Sequence, residues 1–597
     1  MGVLTTVRRE AHYLRNMIGV LGRVREVKPG STKTVADWIE PWAEKFPNKP
    51  AIIFEDQTIT YKEFDEKANQ IARWAQDQGM KRGDTVALVM ENKPEYVMIW
   101  YGLAKAGISV ALINCNLQGT GLAHTLNISG AEHLILDAVL ADNYASCVDQ
   151  LERPLTVWAQ EGSIQGAEDW DKAVSGQDGG ALAPDVRAGL TVNDRFVYIY
   201  TSGTTGLPKA ANISHLRFIL MGNAFGGSTK AQPQDRVYVC LPLYHATGGV
   251  GGVGIALFSG GTLIIRRKFS ATNFFADCRK YQASIAVYIG ELCRYLLNSP
   301  EQPDEANHKL RVMMGNGLRP DVWGPFQERF KVPQIVEFYG STEGNVALFN
   351  IDNTVGSIGR IPGYLSKILP TKIVQFDVES EEVVRDANGR CIECAPDEVG
   401  EAIGKIDPDR PGGNFEGYNN KEATEKKILR DVFEKGDAWF RTGDLLKKDK
   451  LGYFYFIDRI GDTFRWKGEN VATSEVAEVM SQIPGMKEPN VYGVQVPGTD
   501  GRAGMASIVM EGEADFTKIE AVLERDLPVY AQPVFLRLQP EMEVTGTFKH
   551  RKVELVKEGF DPSQIEDPVY FRNPETGHFE QVTPEVYTRI CEGGIRL

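Results

Sequence analysis

Tyr200-Thr201-Ser202-Gly203-Thr204-Thr205-Gly206-Leu207-Pro208-Lys209 follows the apolar run from Phe196 to Tyr200, which reads as a buried strand. The stretch gathers hydroxyl-bearing residues, two glycines and one lysine into a short loop. Those residue types suit a polyphosphate. Gly203 and Gly206 let backbone N–H groups approach an anion, Thr201, Ser202, Thr204 and Thr205 add hydroxyl donors, and Lys209 adds a compact positive charge. No Gly-Lys-Ser/Thr follows the glycines, so the loop is not a Walker A motif. A flexible Ser/Thr/Gly surface loop is the bland alternative.

Working outward, the chain alternates strand and helix. Ile52 to Phe54 reads as a strand, Thr60 and Glu63 as a capping box for a helix that stops at Gly79, and Thr85 to Met90 as a second strand. Pro94 to Lys105 reads as a helix, and Ser109 to Ile113 and His133 to Leu136 as further strands. Such repeats predict an α/β fold with mostly parallel sheets covered by helices. Ala159 to Leu190 shows little periodicity and reads as a surface excursion. Ser214 is placed to cap a helix running towards Phe225, and Val237 to Leu241 reads as a strand. Residues 371 to 406 read as β-structure turning at Asn388-Gly389, a small barrel-like part. Beyond Ile460 the pattern becomes a compact α+β unit. The expected division is a basic segment at 1–35, a large domain at 36–459 and a small mobile domain at 460–597, with the boundary within Ile457 to Gly461.

Composition bounds the function. At 597 residues, 42% of them hydrophobic and 24% charged, the chain is an ordinary globular protein of two or more domains. A formal net charge of −14 argues against a nucleic-acid partner. Of eight cysteines only Cys391 and Cys394 form a CxxC, without a second pair, so reduced thiols are expected. The N-terminus lacks a secretory pattern, which together with the thiols predicts a cytoplasmic location. Ala246 to Ile265 carries no charge and imitates a membrane span, but its glycines make insertion weak, and it reads as a buried helix, turn and strand. Gly249 to Gly254 matches the dinucleotide pattern G-x-G-x-x-G, although the helix that follows is short. Residues 1–35 place Leu14, Met17, Ile18 and Leu21 at helical spacing beside Arg8, Arg9, Arg15, Arg23, Arg25 and Lys28. Packing of that stripe on the protein's own core is favoured, and peripheral contact with the inner face of a membrane is left open.

Further motifs complete the reading. The opening stretch resembles the phosphate loop of the adenylate-forming superfamily: acyl-CoA synthetases, peptide-synthetase adenylation domains and luciferases. Tyr339-Gly340-Ser341-Thr342-Glu343-Gly344 resembles its adenine and magnesium motif; the resemblance implies that Tyr339 stacks on adenine, Thr342 meets the α-phosphate and Glu343 helps hold Mg²⁺. Gly315-Asn316-Gly317 falls where that superfamily packs backbone against the purine. Arg441-Thr442-Gly443-Asp444-Leu445 is similar to its ribose motif, with Asp444 the candidate for both hydroxyls of the diol. Ile457 to Val471, Thr545 to Lys552 and Asp567 to Phe571 resemble one branch, the fatty acid transport proteins or very-long-chain acyl-CoA synthetases. The resemblance extends over nearly all the chain from about residue 35.

By this resemblance the protein is expected to be an ATP-dependent fatty-acid:CoA ligase for long or very long chains, using ATP, Mg²⁺ and coenzyme A through an acyl-adenylate. A ligase for a bile-acid-like or other bulky carboxylate, and a fatty-acid uptake or binding protein, are the alternatives. The usual Thr-Gly-Lys is absent; registering the following Glu-Leu makes Lys549 the catalytic lysine ahead of Lys552. Arg459, Trp466, Lys467 and Gly468 join the cofactor-binding set, and the small domain is expected to turn about Gly461, bringing the Trp466 to Asn470 loop to the site. His245 is similar to the residue gating the carboxylate end of the acyl pocket, held evenly against a satisfied core histidine. The glycines from Gly248 to Gly254 are expected to leave room for the acyl chain, so that Leu at Gly251 or Gly252 would shorten the accepted acid.

Overall fold

The computed structural model describes residues 3–201, 207–378, 380–410, 412–467, 469–499, 501–542 and 552–597. Packing divides the chain into two compact units. One is Met1–Arg360 with Gly404–Arg430 and Ala438–Phe440; the other is Ile361–Ile403 with Asp431–Asp437 and Arg441–Leu597.

Two sheets organise the first unit. In the first, the neighbour order is Glu168–Asp169, Thr156–Gln160, His133–Asp137, Thr85–Val89, Ser109–Ile113, Arg195–Thr201 and Lys209–Ser214. All its pairings are parallel except the last, an antiparallel hairpin. In the second, the order is Ala347–Asn350, Ile335–Gly340, Val312–Asn316, Ile285–Ile289, Arg236–Val239, Thr262–Ile265, Pro50–Phe54 and Gln57–Thr60, antiparallel only at its two edges. Parallel strands covered on both faces carry continuous apolar runs. Leu134 to Leu136 and Val110 to Ile113 are buried accordingly.

Local sequence chemistry sets several element ends. Thr60 caps the helix Tyr61–Asp77 by accepting from the Glu63 N–H, and Glu63 accepts from the Thr60 N–H at 2.8 Å, the reciprocal pair expected. Gly79 follows with φ of +74°, a left-handed exit that glycine adopts without strain. The helix Pro94–Lys105 has proline in its first turn, where no N–H is lost from the ladder. Ser214 caps the helix His215–Ser228 through the Arg217 N–H.

Two expectations are corrected here. Residues 159–190 are more than a surface excursion: the helix Trp170–Ser175 buries Trp170 completely, edge-on to Trp74 at 6.4 Å. The N-terminal helix Val3–Val24 packs on the helix His215–Ser228 as expected, but of the expected stripe only Met17 turns inward. Tyr13, Asn16, Met17 and Val20 are buried, whereas Leu14, Ile18 and Leu21 are exposed. Gly227 permits the approach, because a Cβ there would stand 2.7 Å from the Val20 Cα. Arg23 anchors the end of that helix on the Ser259 hydroxyl and the Ala231 carbonyl.

The second unit carries an antiparallel sheet with neighbour order Met486–Val494, Ala503–Met510, Phe535–Leu538, Val569–Arg572 and Phe579–Gln581; only the central pairing of Ala503–Met510 with Phe535–Leu538 is parallel. The helices Thr473–Met480 and Lys552–Glu558 pack against its first strand. A curved sheet of Thr371–Val374, Val399–Lys405, Ala438–Lys448 and Tyr453–Arg459, in that order, forms the half-barrel part. The fold class is therefore the one expected from sequence: layered α/β sheets, a barrel-like part and a smaller α+β portion. No helix among the described residues is long and apolar enough to cross a membrane. Ala246 to Ile265 is a π-helix at Ala246–Gly252, the helix Val253–Phe258 and the strand Thr262–Ile265.

Candidate active site

In open α/β sheets ligands gather beyond the carboxyl ends of the parallel strands. Two motifs of the first unit lie there on neighbouring strands. Gly315 and Asn316 end the strand Val312–Asn316, Tyr339 and Gly340 end Ile335–Gly340, and Gly315 is in register with Glu337. Asn316 accepts from the Thr247 hydroxyl at 3.2 Å.

Glu337 ties this corner together. Its side chain is almost fully buried; one carboxyl oxygen accepts from the Gly317 and Leu318 N–H groups and the other accepts from the Tyr288 hydroxyl. Burial pushes its carboxyl up to about 8 against the pull of those donors. The Gly315–Gly317 turn is thus shaped from below by a carboxyl group. Gly315 itself is explained by strand packing, since a Cβ there would meet the Tyr288 carbonyl oxygen at 2.1 Å. Gly317 has φ of +81°, and a Cβ there would make only an ordinary contact with the Gly290 nitrogen at 3.9 Å.

The stretch expected to meet phosphate is flanked by the two edge strands Arg195–Thr201 and Lys209–Ser214 of the other sheet. Thr201 and Lys209 are register partners, so the two strands bring the ends of the loop together. Ser202, Gly203, Thr204, Thr205 and Gly206 lie outside the described residues. Lys209 is half-buried, its ammonium 5.7 Å from the centre of the Tyr418 ring.

Beyond Tyr339 and Gly340 the chain turns through Ser341, Thr342 and Glu343. Arg217, almost wholly buried in the first turn of its helix, donates to three carbonyl oxygens of this turn: Thr342 at 2.7 Å, Ser341 at 3.1 Å, and Gly344. The Ser341 hydroxyl accepts from the Gly344 N–H at 3.0 Å. Glu343 is buried, and its Oε1 accepts from the Tyr418 hydroxyl at 2.5 Å. Among the described residues no group of three or more His, Cys, Asp or Glu side chains could enclose a metal. A single carboxylate nonetheless fits Mg²⁺, which takes one or two carboxylates together with substrate phosphates.

His245 is half-buried, its ring 4.5 Å from that of Tyr244, at the entry to the π-helix. The glycines that follow correct the expectation about acyl room. A Cβ on Gly249 would stand 2.2 Å from the Leu243 carbonyl oxygen, on Gly252 2.5 Å from Val239, and on Gly254 2.7 Å from the Gly222 Cα. At Gly251 the nearest atom is the Met314 methyl at 3.2 Å. These glycines serve close packing within the protein, and the resemblance to a dinucleotide fingerprint falls away with them, since the segment is buried helix.

In the second unit Asp444 and Arg459 are partners in an antiparallel ladder, with Nε and Oδ1 3.9 Å apart. Within the strand, the approach to Asp444 is shaped by Gly443 at φ of +80°, and by Thr442, whose hydroxyl donates to the Ala402 carbonyl and accepts from the Asp444 N–H at 3.2 Å. Arg441 grips Glu401 through Nε and Nη2, at 3.0 and 2.8 Å from Oε2. Phe464–Trp466 and Glu469–Val471 form a hairpin whose tip includes exposed Lys467 at φ of +52°; Gly468 is not described. Trp466 does not project from that hairpin but is buried in the unit's core. Gly461 has φ of +94° and nothing near its Cβ position, so the backbone there calls for glycine. Lys549 lies outside the described residues. Lys552 is engaged: its ammonium sits 3.1 Å from Asp462 and 3.0 Å from the Thr473 hydroxyl.

Sequence reasoning missed Arg217, Glu337 and Tyr418. Tyr418 had one available signal, the Glu416-Gly417-Tyr418 stretch, in which Gly417 takes φ of +66° ahead of a buried aromatic.

The layered α/β fold, with the Gly315–Gly317 turn at a strand end and the buried Glu343 carboxylate beyond the neighbouring strand, is that of an adenylate-forming enzyme. Comparison with known proteins agrees. The family model described as AMP-binding enzyme matches residues 39–390. Long-chain fatty acid transport protein 2 of Rattus norvegicus is 41% identical over 591 residues, covering 98% of this chain and 94% of that protein. Long-chain fatty acid transport protein 1 of Homo sapiens is 41% identical over 604 residues, covering 100% and 93%. Among solved structures, an anthranilate CoA ligase in complex with anthranoyl-AMP matches with a TM-score of 0.74 at 20% identity, covering 89% of this chain and 98% of that one. A fatty acyl CoA synthetase of Mycobacterium tuberculosis matches with a TM-score of 0.62 at 22% identity, covering 88% and 98%. The chain belongs to the AMP-binding enzyme family, in the branch of the long-chain fatty acid transport proteins.

Proposed function

We propose that the protein is an ATP-dependent long-chain fatty-acid:CoA ligase. A carboxylate is a poor electrophile, so thioester formation needs an activated acyl group. The acid's carboxylate oxygen attacks the α-phosphorus of ATP, and the bond to pyrophosphate breaks to leave an acyl-adenylate. The CoA thiolate then attacks the acyl carbon, and AMP leaves with the electrons of the acyl–oxygen bond.

The side chains divide that work. Tyr339 and the Gly315–Gly317 turn are assigned to adenine, Asp444 and Arg459 to the ribose, and Thr201 to Gly206 with Lys209 to the phosphates. Thr342 is assigned to the α-phosphate, with Gly340 and Ser341 shaping its turn. Glu343 is assigned to Mg²⁺, which when bound neutralises charge on the phosphate oxygens. Lys549 is assigned to the charge that develops at the α-phosphoryl group, Lys467 and Gly468 to CoA, and His245 to the carboxylate end of the acyl site. Trp466 holds the base of its hairpin from within the core, a positioning role. Division of the chain near residues 459–460, with Gly461 as hinge, belongs to the same proposal. The observation that supports the reading most strongly is the buried Glu343 carboxylate at the end of a turn that follows Tyr339, on strands adjoining Gly315. The long-chain acid is supported by the names of relatives that match over nearly the full chain.

The acid is expected to be met at a membrane surface on the cytoplasmic side. Leu14, Ile18 and Leu21 form an exposed apolar stripe on the N-terminal helix, beside exposed Arg15 and Arg25. Incubating the protein with ATP, Mg²⁺, CoA and a panel of acids tests the activity. Acyl-CoA, AMP and pyrophosphate should appear together, best with long-chain acids. Preference for a bulky ring acid would move the substrate class, and binding of fatty acid without any AMP would support the binding-protein alternative.

A further inference from the structure

One side chain outside every recognised motif touches both sides of the phosphate region of the first unit. Tyr418 is buried, and its hydroxyl donates to Glu343 Oε1 at 2.5 Å. The ring meanwhile lies under the Lys209 ammonium. Two residues assigned to one nucleotide, Glu343 and Lys209, therefore meet on a single phenol side chain.

The backbone that carries Tyr418 is held as firmly as its tip. Residues 416–419 add to the outer edge of the strand Lys209–Ser214: Asn212 N–H donates to the Gly417 carbonyl and Asn419 N–H to the Ala210 carbonyl, both at 3.1 Å. The Glu416 carboxylate accepts from the Ser214 N–H at 2.8 Å and the Ser214 hydroxyl at 2.6 Å. Tyr418 N–H donates to the Thr424 hydroxyl at 3.0 Å, and Gly417 is tight against the same side chain, where a Cβ would stand 2.6 Å from it. On the other side, Arg217 fixes the backbone on both sides of Glu343 by its bonds to the Ser341, Thr342 and Gly344 carbonyls. Glu343 is thus held by its main chain through Arg217 and by one carboxylate oxygen through Tyr418.

A buried acid side chain with a single fixed oxygen has one rotamer to offer. We propose that Tyr418 is the positioning residue for the metal end of the nucleotide site: by binding Oε1 it turns Oε2 of Glu343 towards the cation that accompanies ATP. This rests on the reading of Glu343 as the carboxylate that meets Mg²⁺. Without the phenol the carboxylate rotates, and cation affinity falls although the nucleotide's organic part is still held. Preordering of this kind is how outer groups tune a metal-binding carboxylate.

The test uses the full chain and α,β-methylene-ATP, which binds without reacting. Binding is followed by calorimetry without Mg²⁺ and across a range of free Mg²⁺, for the native protein, Tyr418→Phe, Glu343→Gln and the double variant. Tyr418→Phe keeps the ring over Lys209 and removes one bond to a charged group. It should raise the Mg²⁺ concentration for half-maximal enhancement about tenfold while changing the metal-free affinity less than about twofold. In the Glu343→Gln background the same change should add nothing. An unchanged Mg²⁺ requirement in Tyr418→Phe, or an equal loss with and without Mg²⁺, overturns the proposal. If the native protein itself shows no Mg²⁺-dependent binding, the assignment of Glu343 fails first, a result distinct from either. Should Tyr418→Phe not fold, Thr424→Val, which frees the Tyr418 backbone, should shift the requirement about threefold in the same direction, and no shift there overturns the proposal.

Discussion

Glu337 offers the most quantitative perturbation. Its carboxyl group is buried with three donors around it, the Gly317 N–H, the Leu318 N–H and the Tyr288 hydroxyl. Glu337→Ala would leave all three without a partner. At about 1–3 kcal/mol for each buried group left unsatisfied, the loss lies between about 3 and 9 kcal/mol, with water entry bringing it towards the lower end. Glu337→Gln keeps an oxygen for the two N–H groups and removes only the titration. The folded carboxyl is raised from an ordinary 4.5 to about 8. Between those values the folded protein holds a proton that the unfolded chain has released. The contribution of Glu337 to stability is therefore fully present below about pH 4.5 and declines as the pH rises towards 8, by about 2 kcal/mol from roughly pH 6 to 8 relative to Glu337→Gln. Urea unfolding of the three proteins at several pH values reads both quantities. Parallel pH profiles for the native protein and Glu337→Gln, or Glu337→Ala within about 1 kcal/mol of native, would refute the reasoning. Because the N–H donors adjoin the Gly315–Gly317 turn proposed to meet adenine, the KM for ATP should rise in Glu337→Ala more than kcat falls.

Three other expectations follow, the first from the proposed role of Lys549 and the others from contacts in the structure. Lys549→Ala should slow adenylation at least about a hundredfold while leaving thioester formation from supplied acyl-adenylate largely intact, and equal loss of both steps would remove Lys549 from its assigned role. Lys552→Ala, which breaks the pairing with Asp462 and Thr473, should cost far less in adenylation than Lys549→Ala; single-turnover rates distinguish the two lysines. Gly252→Leu should lower stability by about 1–3 kcal/mol or more in thermal melts, because the added atoms run into Val239, and any enzyme that folds should keep the native chain-length preference.

What could be read from sequence was what neighbours in the chain decide. The capping box at Thr60 and Glu63 and the helix Pro94–Lys105 are set within a few residues of themselves. The expected helix beyond Ser214 likewise begins at its cap. The N-terminal stripe was misjudged because that helix has apolar residues on two faces. Periodicity finds a helix but does not say whether Leu14 and Ile18 or Tyr13 and Met17 turn inward. Trp170 was missed because its helix is only six residues long and shows no repeat. The glycines after His245 read from sequence as room for an acyl chain, and only the fold reveals that Val239, Leu243 and Gly222 occupy that space. Arg217 and Tyr418 escaped for a different reason: the partners that give them meaning lie 125 and 75 residues away. Motif residues are legible from their local pattern and its family resemblance, whereas the residues that hold them answer to packing.

The central claim is that this chain activates a fatty acid through an acyl-adenylate. Exchange of labelled pyrophosphate into ATP, measured without CoA in the presence and absence of a long-chain fatty acid, examines that step alone. The account predicts Mg²⁺-dependent exchange that requires the acid and is lost in Lys549→Ala. Absence of exchange with every carboxylate offered would contradict it.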